Sequence, residues 1–146
     1  LCPTPRPAGW RGIGAGHQRR VVYHRHTATF LMGRTQTLGR EAEDRAEAML
    51  SRAGLRTVAR NYRCRCGEID LVMGDGKHLI FVEVRFRSSR AFGSAAASVD
   101  ADKRRKLILA AQHYLLEARW QGPCRFDVVT FDQDQGGRWI RDAFGV

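Results

Sequence analysis

The sequence predicts an α/β protein of the α+β kind, in which helices cover a central sheet. Two stretches, residues 39–53 and 100–118, carry apolar residues at helical spacing. Five shorter stretches have the apolar or alternating composition of strands. The segments follow one another in the order αβββαββ, which is typical of one sheet packed against helices. With 146 residues, the chain is long enough for one domain with its own core.

The first helix, residues 39–53, has one apolar face and ends before Gly54, a typical residue at a helix C-terminus. Its apolar positions are Ala42, Ala46, Met49, Leu50 and Ala53. A more polar strand, residues 55–65, follows and is expected near an edge of the sheet. Residues 67–73 and 78–87 are the two most strand-like stretches, and the Gly-Asp-Gly-Lys segment between them predicts a hairpin.

The second half of the domain is predicted to contain one helix and two strands. Residues 88–97 are small and polar, which favours a loop. Asp100 stands at the N-cap position of the long helix that ends near residue 118. The apolar stripe of this helix is Leu107, Ile108, Ala111, Tyr114, Leu115 and Ala118. Strands are predicted at residues 124–131 and 137–143. The first of them contains Asp127, which we expect to pair with Arg125 or with a cation from a helix.

The first 37 residues differ from the rest in charge and pattern. They hold three of the four prolines and show neither the helical nor the strand period. Residues 1–40 contain seven Arg and no acid, so this quarter carries +7 of the formal charge of +10. We expect residues 1–37 to be a disordered or non-native basic N-terminal extension, because the first Met is Met32 and ordered patterning starts just after it. A basic arm that grips nucleic acid is the competing interpretation. Residues 38–146 are then a single domain.

The charge of the remaining chain is nearly balanced, with 18 basic and 15 acidic groups in residues 41–146. A basic excess favours polyanionic partners, nucleic acid above all, through release of counterions. No apolar run approaches the roughly 18 residues of a membrane span, so no membrane partner is expected. A signal-peptide pattern is lacking, which together with the cysteine spacing predicts reduced thiols in a cytoplasmic protein. Zinc on Cys64 and Cys66 is the less favoured alternative, because no second pair accompanies them.

The predicted hairpin carries acids inside both strands, although acids are uncommon in strands and in cores. A two-residue loop at Asp75 and Gly76 would pair residue 70 with 81 and residue 68 with 83. Side chains alternate between the two faces of a strand, so this register separates an apolar face from a charged one. The apolar face holds Ile69, Leu71, Met73, Ile80, Val82, Val84 and Phe86, and the charged face holds Glu68, Asp70, Glu83 and Arg85.

In this register Asp70 and Glu83 are diagonal neighbours, with Cα atoms roughly 7–8 Å apart. Two carboxylates at that distance can turn toward one divalent cation, and they repel each other when nothing lies between them. A Mg²⁺ ion there could polarise a phosphodiester and activate a bound water, while Arg85 holds the phosphate. The alternative is a set of solvated ion pairs with Arg85 and Arg87 on an open sheet face. Patterning alone leaves both interpretations open.

Asp70 and the later Glu83-Val84-Arg85 resemble the D…(D/E)-x-K signature of restriction-endonuclease-like nucleases. Six stretches, in the same order, resemble the bacterial YraN-like family, an uncharacterised family assigned to that fold. They lie within residues 38–132 and read LGREAEDRAEAML, RNYRCRCGEIDLV, FVEVRFR, FGSAAASVDADKRRKL, AAQHYL and CRFDVV. The resemblance implies a restriction-endonuclease-like αβββαβ core, with a mixed central sheet and an acidic site on its hairpin. It also implies relatives such as archaeal Holliday-junction resolvases, which act on branched DNA.

The resemblance assigns roles to individual residues. Glu43, Asp70 and Glu83 are the expected catalytic metal ligands, with Mg²⁺ or Mn²⁺ as the cofactor. Arg85 matches a position usually held by Lys and is expected to bind phosphate. Gln112 resembles a Gln near the active site of related nucleases and is a further catalytic candidate.

Apart from the resemblance, the second helix starts with a cationic run, Lys103-Arg104-Arg105-Lys106, which predicts contacts to the phosphate backbone. A solvated helix face is the alternative. Contacts to nucleic acid are thus expected from Arg85, Arg87, Lys103, Arg104 and Lys106.

Two other acids are alternatives for the same site. Glu43 borders the apolar face of the first helix, and Glu47 lies one turn further on, so either could reach over the sheet edge. Glu68 could be an additional ligand, but it ranks below Asp70 because it is further from the turn of the hairpin.

Three functional classes remain open. The leading one is a Mg²⁺-dependent endonuclease or resolvase-like enzyme that acts on DNA structure. The second is a nucleic-acid-binding module of the same fold that does not cleave, which the Arg at position 85 favours. The third is a scaffold protein without nucleic acid, which the small charge excess of residues 41–146 allows. A homodimer is expected by analogy with resolvases that cut two strands.

Overall fold

The computed structural model describes residues 33–87, 99–132 and 136–145. Within these ranges the element order is αβββαββ, as predicted. The elements are α1 (Gly33–Arg52), β1 (Arg56–Cys64), β2 (Gly67–Gly74), β3 (Leu79–Arg87), α2 (Ala101–Ala118), β4 (Cys124–Asp132) and β5 (Arg138–Phe144). The main difference from prediction is that α1 begins at Gly33 rather than at residue 39. Residues 33–37, predicted to belong to the N-terminal extension 1–37, are thus part of a helix. Residues 1–32 of that extension and the predicted loop 88–97 lie outside the described residues.

The strands form one five-stranded sheet in the order β1-β2-β3-β4-β5. The pairs β1–β2, β2–β3 and β4–β5 are antiparallel, whereas β3 and β4 are parallel. A parallel pair requires a long crossover connection, and α2 lies within it. The predicted fold class, a mixed central sheet flanked by helices, is confirmed, and β1 lies at an edge as expected.

The two helices cover opposite faces of this sheet. Ala46 and Leu50 of α1 pack with Leu71 on one face. Leu107 of α2 packs with Phe81 on the other. Burying a large apolar side chain contributes about 1.5–3 kcal/mol, so both faces of the hairpin strands contribute to the stability of the core.

This arrangement corrects the predicted division of the hairpin into one apolar and one charged face. Val72 and Phe81 lie on the face that was predicted to be charged, yet both are buried beneath α2. Ile69, predicted on the other face, also packs in the α2 cluster, and Phe86 is 37% exposed. The prediction treated the hairpin as a half-solvated antiparallel pair. A strand with a parallel neighbour is instead covered on both faces, because the crossover helix packs on the second one.

The hairpin turn also differs from the prediction, since it holds four residues rather than two. Gly74 pairs with Leu79, which shifts the register by two residues. The cause is the side chain of Asp75, whose Oδ1 accepts the backbone N–H groups of Lys77 and His78 at 2.8 and 2.6 Å. These N–H groups are satisfied inside the turn and therefore do not pair across the hairpin.

The shift changes the relation between the two central acids. Leu71 and Val82 form the last regular pair of the hairpin, and Asp70 and Glu83 are the next residues on β2 and β3. The observed register therefore differs from the one in which Asp70 and Glu83 were predicted to be diagonal neighbours. Both residues lie directly beyond the last pair, where their charges interact.

Both predicted cap residues are confirmed. Gly54 has φ 96° and its N–H donates to the carbonyl oxygen of Ser51 at 3.0 Å. Asp100 accepts the backbone N–H of Lys103 at 2.7 Å and so fixes the first turn of α2. Ala53, predicted on the apolar face of the first helix, is exposed beyond its end. Neither described helix is long and apolar enough to cross a membrane.

A buried carboxylate ties the last two strands together. Asp127 on β4 is 1% exposed and accepts hydrogen bonds from Arg125 Nε at 3.0 Å and Trp139 Nε1 at 2.9 Å. The backbone N–H of Asp142 donates to it at 3.0 Å. The expected pairing with Arg125 is thus confirmed. Arg125 also lies 3.3 Å from Asp75, which links this network to the hairpin turn.

The network predicts a large loss of stability for Asp127→Ala. The substitution leaves a mostly buried guanidinium and two N–H donors without their acceptor, so we expect the free energy of unfolding to fall by about 3–5 kcal/mol. Urea unfolding followed by circular dichroism measures this. The control is Asp102→Ala, which removes an acid whose side chain is 82% exposed and should change stability by no more than about 0.5 kcal/mol. Equal effects of the two substitutions would contradict the assigned role of Asp127.

Candidate active site

Glu83 is a buried acid in the middle of β3. It is 4% exposed, because α2 covers this part of the sheet. Its Oε1 lies 3.3 Å from Arg85 Nε and 3.4 Å from Lys103 Nζ. Its Oε2 is buried and accepts no hydrogen bond from any residue that the structure describes. An unpaired buried carboxylate oxygen is costly to folding, which makes this position a candidate for function rather than for stability.

Asp70 lies directly beyond the last regular pair of the hairpin, next to Glu83. Its Oδ2 accepts the backbone N–H of Val84 at 2.8 Å. The Asp70 side chain thus accepts a hydrogen bond that a backbone carbonyl of β2 would accept in regular pairing. The same hydrogen bond holds the Asp70 carboxylate against β3, on the strand that carries Glu83.

The pKa values of both acids are raised by burial and by repulsion between negative charges. Burial, followed by repulsion from Asp70, raises the pKa of Glu83 to about 7, against the opposing effects of Lys103 and Arg85. Burial also raises the pKa of Asp70, although the Val84 N–H and Lys103 oppose the shift. Adjacent carboxyl groups with raised pKa values are typical of functional sites.

Glu43 approaches the same region from α1. It is half-buried, its Oε2 accepts a hydrogen bond from Asn61 Nδ2 at 3.1 Å, and its charge helps to raise the pKa of Asp70. No group of three or more His, Cys, Asp and Glu side chains in ranges 33–87, 99–132 and 136–145 is arranged to hold a metal ion. The structure therefore brings Asp70 and Glu83 together, with Glu43 beside them rather than in a ready-made three-ligand site. The role of Glu43 as a ligand stays a prediction.

The two alternative acids have partners of their own. Glu47 accepts a hydrogen bond from Thr57 Oγ1 at 2.6 Å and lies 2.9 Å from Arg60, so it joins α1 to β1. Glu68 is exposed and lies 3.4 Å from Arg63 on the neighbouring strand. These contacts favour structural roles for both.

The cationic residues at the start of α2 do not form a single surface. Lys103 turns toward Glu83. Arg104 donates from Nε to a backbone carbonyl before the helix at 2.8 Å and lies over the ring of Phe144. Lys106 is exposed. Within the run, Lys103 and Lys106 are therefore better placed for phosphate contacts than Arg104.

For two further predicted site residues, Gln112 and Arg87, the structure shows no contact with Asp70 or Glu83. Gln112 is exposed and lines a cavity of about 580 Å³ whose walls include neither Asp70 nor Glu83. It follows Lys103 by nine residues, which is about 13 Å along a helix axis. Its catalytic role stays a prediction without a supporting contact. Arg87 ends β3, and its side chain lies outside what the structure describes.

Sequence reasoning missed two features of the site. Lys103 was predicted to contact nucleic acid, whereas its contact with Glu83 was not predicted. Asn61 was not considered, yet it donates to Glu43 from a left-handed backbone position with φ 50°. Asn is enriched in that conformation and depleted in strands, so an Asn within a predicted strand was the available signal.

Residues 42–131 match the model of a family described as uncharacterised protein family UPF0102. The chain belongs to this family. A UPF0102 protein of Dechloromonas aromatica is 57% identical over 112 residues, which cover 77% of this chain and 92% of that protein. A UPF0102 protein of Nitrosospira multiformis is 52% identical over 110 residues, which cover 74% and 92%. The resemblance to the YraN-like family, which is UPF0102, is thereby confirmed.

A Holliday junction resolvase of Archaeoglobus fulgidus is a structural neighbour of this UPF0102 protein. The similarity covers 68% of this chain and 72% of the resolvase, with a TM-score of 0.48 and 17% sequence identity. The family description states no activity. What the UPF0102 site does must therefore be argued from its own residues.

The raised pKa of Glu83 predicts a stability that falls with pH. The folded protein keeps this proton up to about pH 7, whereas the unfolded chain releases it near 4.5. The stability that Glu83 contributes is therefore complete below pH 4.5 and is lost as pH rises through 7. The free energy of unfolding of Glu83→Gln, relative to that of wild type, should therefore rise by about 2 to 3 kcal/mol from mildly acidic to mildly alkaline buffer. Both proteins are treated with a chelator.

Urea unfolding of both proteins at the two pH values measures this difference. Glu68→Gln serves as the control, since it removes one exposed acid from the same hairpin. The prediction is wrong if the stability difference between wild type and Glu83→Gln is the same in both buffers.

Proposed function

We propose that this UPF0102 protein is a Mg²⁺-dependent phosphodiesterase, an endonuclease or resolvase-like enzyme that acts on DNA structure. The observation that supports it best is the pair of adjacent carboxylates, the buried Glu83 and the half-buried Asp70, with two cationic side chains within reach of Glu83. Their position in the D…(D/E)-x-K-like pattern agrees with the same chemistry.

The donor set fits a hard divalent cation. Both groups are carboxylates, they repel each other, and Glu83 has a buried oxygen without a hydrogen bond from the described residues. Mg²⁺ is usually held by one or two carboxylates, with water and substrate phosphate as the other ligands, so a third protein ligand is not required. Mn²⁺ suits the same oxygens. Asp70 and Glu83 would hold the cation, which when bound supplies a polarised phosphodiester and a water of lowered pKa.

The surrounding cations support a phosphate substrate. Arg85 lies beside Glu83 on β3, with its side chain 34% exposed, and a guanidinium can hold a phosphate group through two parallel hydrogen bonds. Lys106 is exposed on α2 and is available to the phosphate backbone. Such contacts position nucleic acid without reading its sequence, which suits an enzyme that recognises branched structure.

A second candidate function is binding of nucleic acid without cleavage. Arg85 favours it, because the nuclease signature has Lys there and a guanidinium is effectively never deprotonated. A scaffold role without nucleic acid is the third. A homodimer stays a prediction, since one chain provides no test of it.

Cleavage assays test the proposal directly. The full chain is incubated with four-way junction, flap and linear DNA in Mg²⁺ or Mn²⁺. We expect cleavage of branched DNA, and a loss of about 10²-fold or more in Asp70→Asn and Glu83→Gln, because each removes a negative charge from the metal site. Asp102→Asn, which changes an exposed acid on α2, should cleave like wild type.

The assay distinguishes the three functions. Binding of DNA without cleavage in either metal would overturn the enzyme and favour the binding module. Absence of DNA binding would favour the scaffold. Circular dichroism of each variant verifies that the fold is retained.

The exposed position of Lys106 gives a prediction about binding. Lys106→Ala should weaken binding to all DNA sequences alike and reduce the slope of log K against log salt concentration by about 1, because one phosphate contact is lost. Fluorescence anisotropy over a range of salt concentrations measures the slope. The matched control is Lys77→Ala in the hairpin turn, which removes the same charge from an exposed site and should leave the slope unchanged.

A further inference from the structure

We propose that Lys103 supplies the ammonium group that the nuclease signature places two residues after its second acid, where this chain has Arg85. The inference rests on the proposed function of the same site. It assigns a catalytic role to a residue in the first turn of α2, which lies outside the hairpin that carries the D…(D/E)-x-K-like pattern.

The geometry converges on one oxygen atom. Lys103 Nζ lies 3.4 Å from Glu83 Oε1, and Arg85 Nε lies 3.3 Å from the same oxygen. The two cations come from different elements, one from the helix and one from the strand. The side chain of Lys103 is 25% exposed, so it is reachable from the solvent side that a substrate would approach.

The fold holds Lys103 in this position. Its backbone N–H donates to Asp100 Oδ1 at 2.7 Å, which fixes the first turn of α2 over the sheet. Val99, directly before the cap, is buried in the core beneath the helix. The start of α2 is thus anchored on both sides of Asp100, and the Lys103 side chain extends from a rigid turn.

The chemistry favours a division of roles between the two cations. A guanidinium is planar and holds phosphate through two hydrogen bonds, which suits Arg85. An ammonium group is compact and has three donors, so Lys103 can contact Glu83, a phosphate oxygen and the attacking water together. Its positive charge also opposes the rise in the pKa of Asp70, so it acts on both acids. A positive charge there stabilises the negative charge that develops on the phosphate in the transition state.

A purely structural role for Lys103 would be to neutralise the buried Glu83. The two roles differ in their expected effects on thermal stability and on cleavage. In either role the ammonium group competes electrostatically with a cation at Glu83, so its removal should leave Mn²⁺ affinity equal or higher as long as the site keeps its structure. A neutralising partner supports the burial of Glu83, so its removal should lower the melting temperature. Only a catalytic role predicts that an ammonium group at position 85 restores cleavage, because Arg and Lys carry the same charge there.

The experiment measures both properties in the full chain. Lys103→Gln should cleave a four-way junction about 10²-fold or more slowly than wild type. Its dissociation constant for Mn²⁺, from isothermal titration calorimetry, should be equal to or lower than that of wild type. Lys77→Gln, which loses the same charge at the hairpin turn, should match wild type in both measurements.

A rescue variant completes the test. Arg85→Lys combined with Lys103→Gln places an ammonium group at the signature position. We expect it to recover cleavage at least about tenfold over Lys103→Gln alone, because one ammonium near the reacting phosphate replaces the other.

The outcomes separate this inference from the proposed function. Slow cleavage with retained Mn²⁺ affinity and rescue supports Lys103 as a catalytic residue. Cleavage by Lys103→Gln at the wild-type rate overturns the role of Lys103 and leaves the enzyme intact. Loss of cleavage together with thermal stability, without rescue, overturns it in favour of neutralisation. A wild-type protein that binds Mn²⁺ and DNA but cleaves neither junction nor flap overturns both proposals.

Discussion

The burial of the Glu83 carboxylate beneath α2 is the constraint on which the site depends. A carboxylate loses its hydration there, and such burial is favourable only when charges or hydrogen bonds offset the loss. Lys103 and Arg85 offset part of it at Oε1, while Asp70 adds repulsion and Oε2 remains without a described donor. The charge of Glu83 is therefore only partly compensated, which favours binding of a cation at this carboxylate.

The crossover between β3 and β4 makes this burial possible. Parallel pairing of these strands sends the chain over the second face of the sheet, and α2 packs there with its cap at Asp100. The same connection carries Lys103 to Glu83, although the two residues are twenty positions apart in the chain. The Asp127 network then joins β4 to β5 and to the hairpin turn. The acids thus stand on a rigid sheet rather than on a loop.

Membership of UPF0102 and the geometry of the site support different conclusions about this protein. The family match covers residues 42–131, and the description of the family names no activity. The functional argument comes from two carboxylates, their raised pKa values and the cations around them. It also changes the meaning of Arg85. At the level of motifs this residue weakens the case for an enzyme, whereas in three dimensions a second cation, Lys103, reaches the same oxygen.

Local chemistry by itself determined the order of the elements, the caps at Gly54 and Asp100, and the acids of the hairpin as the candidate site. Periodicity and capping act over a few residues, so they can be recognised in a linear sequence. Tertiary structure alone decided the register, the burial of both sheet faces and the Lys103–Glu83 contact. The register depends on how the Asp75 side chain satisfies N–H groups of the turn. The burial and the contact depend on which face the crossover helix covers. That is settled by packing between distant segments, which no local pattern encodes.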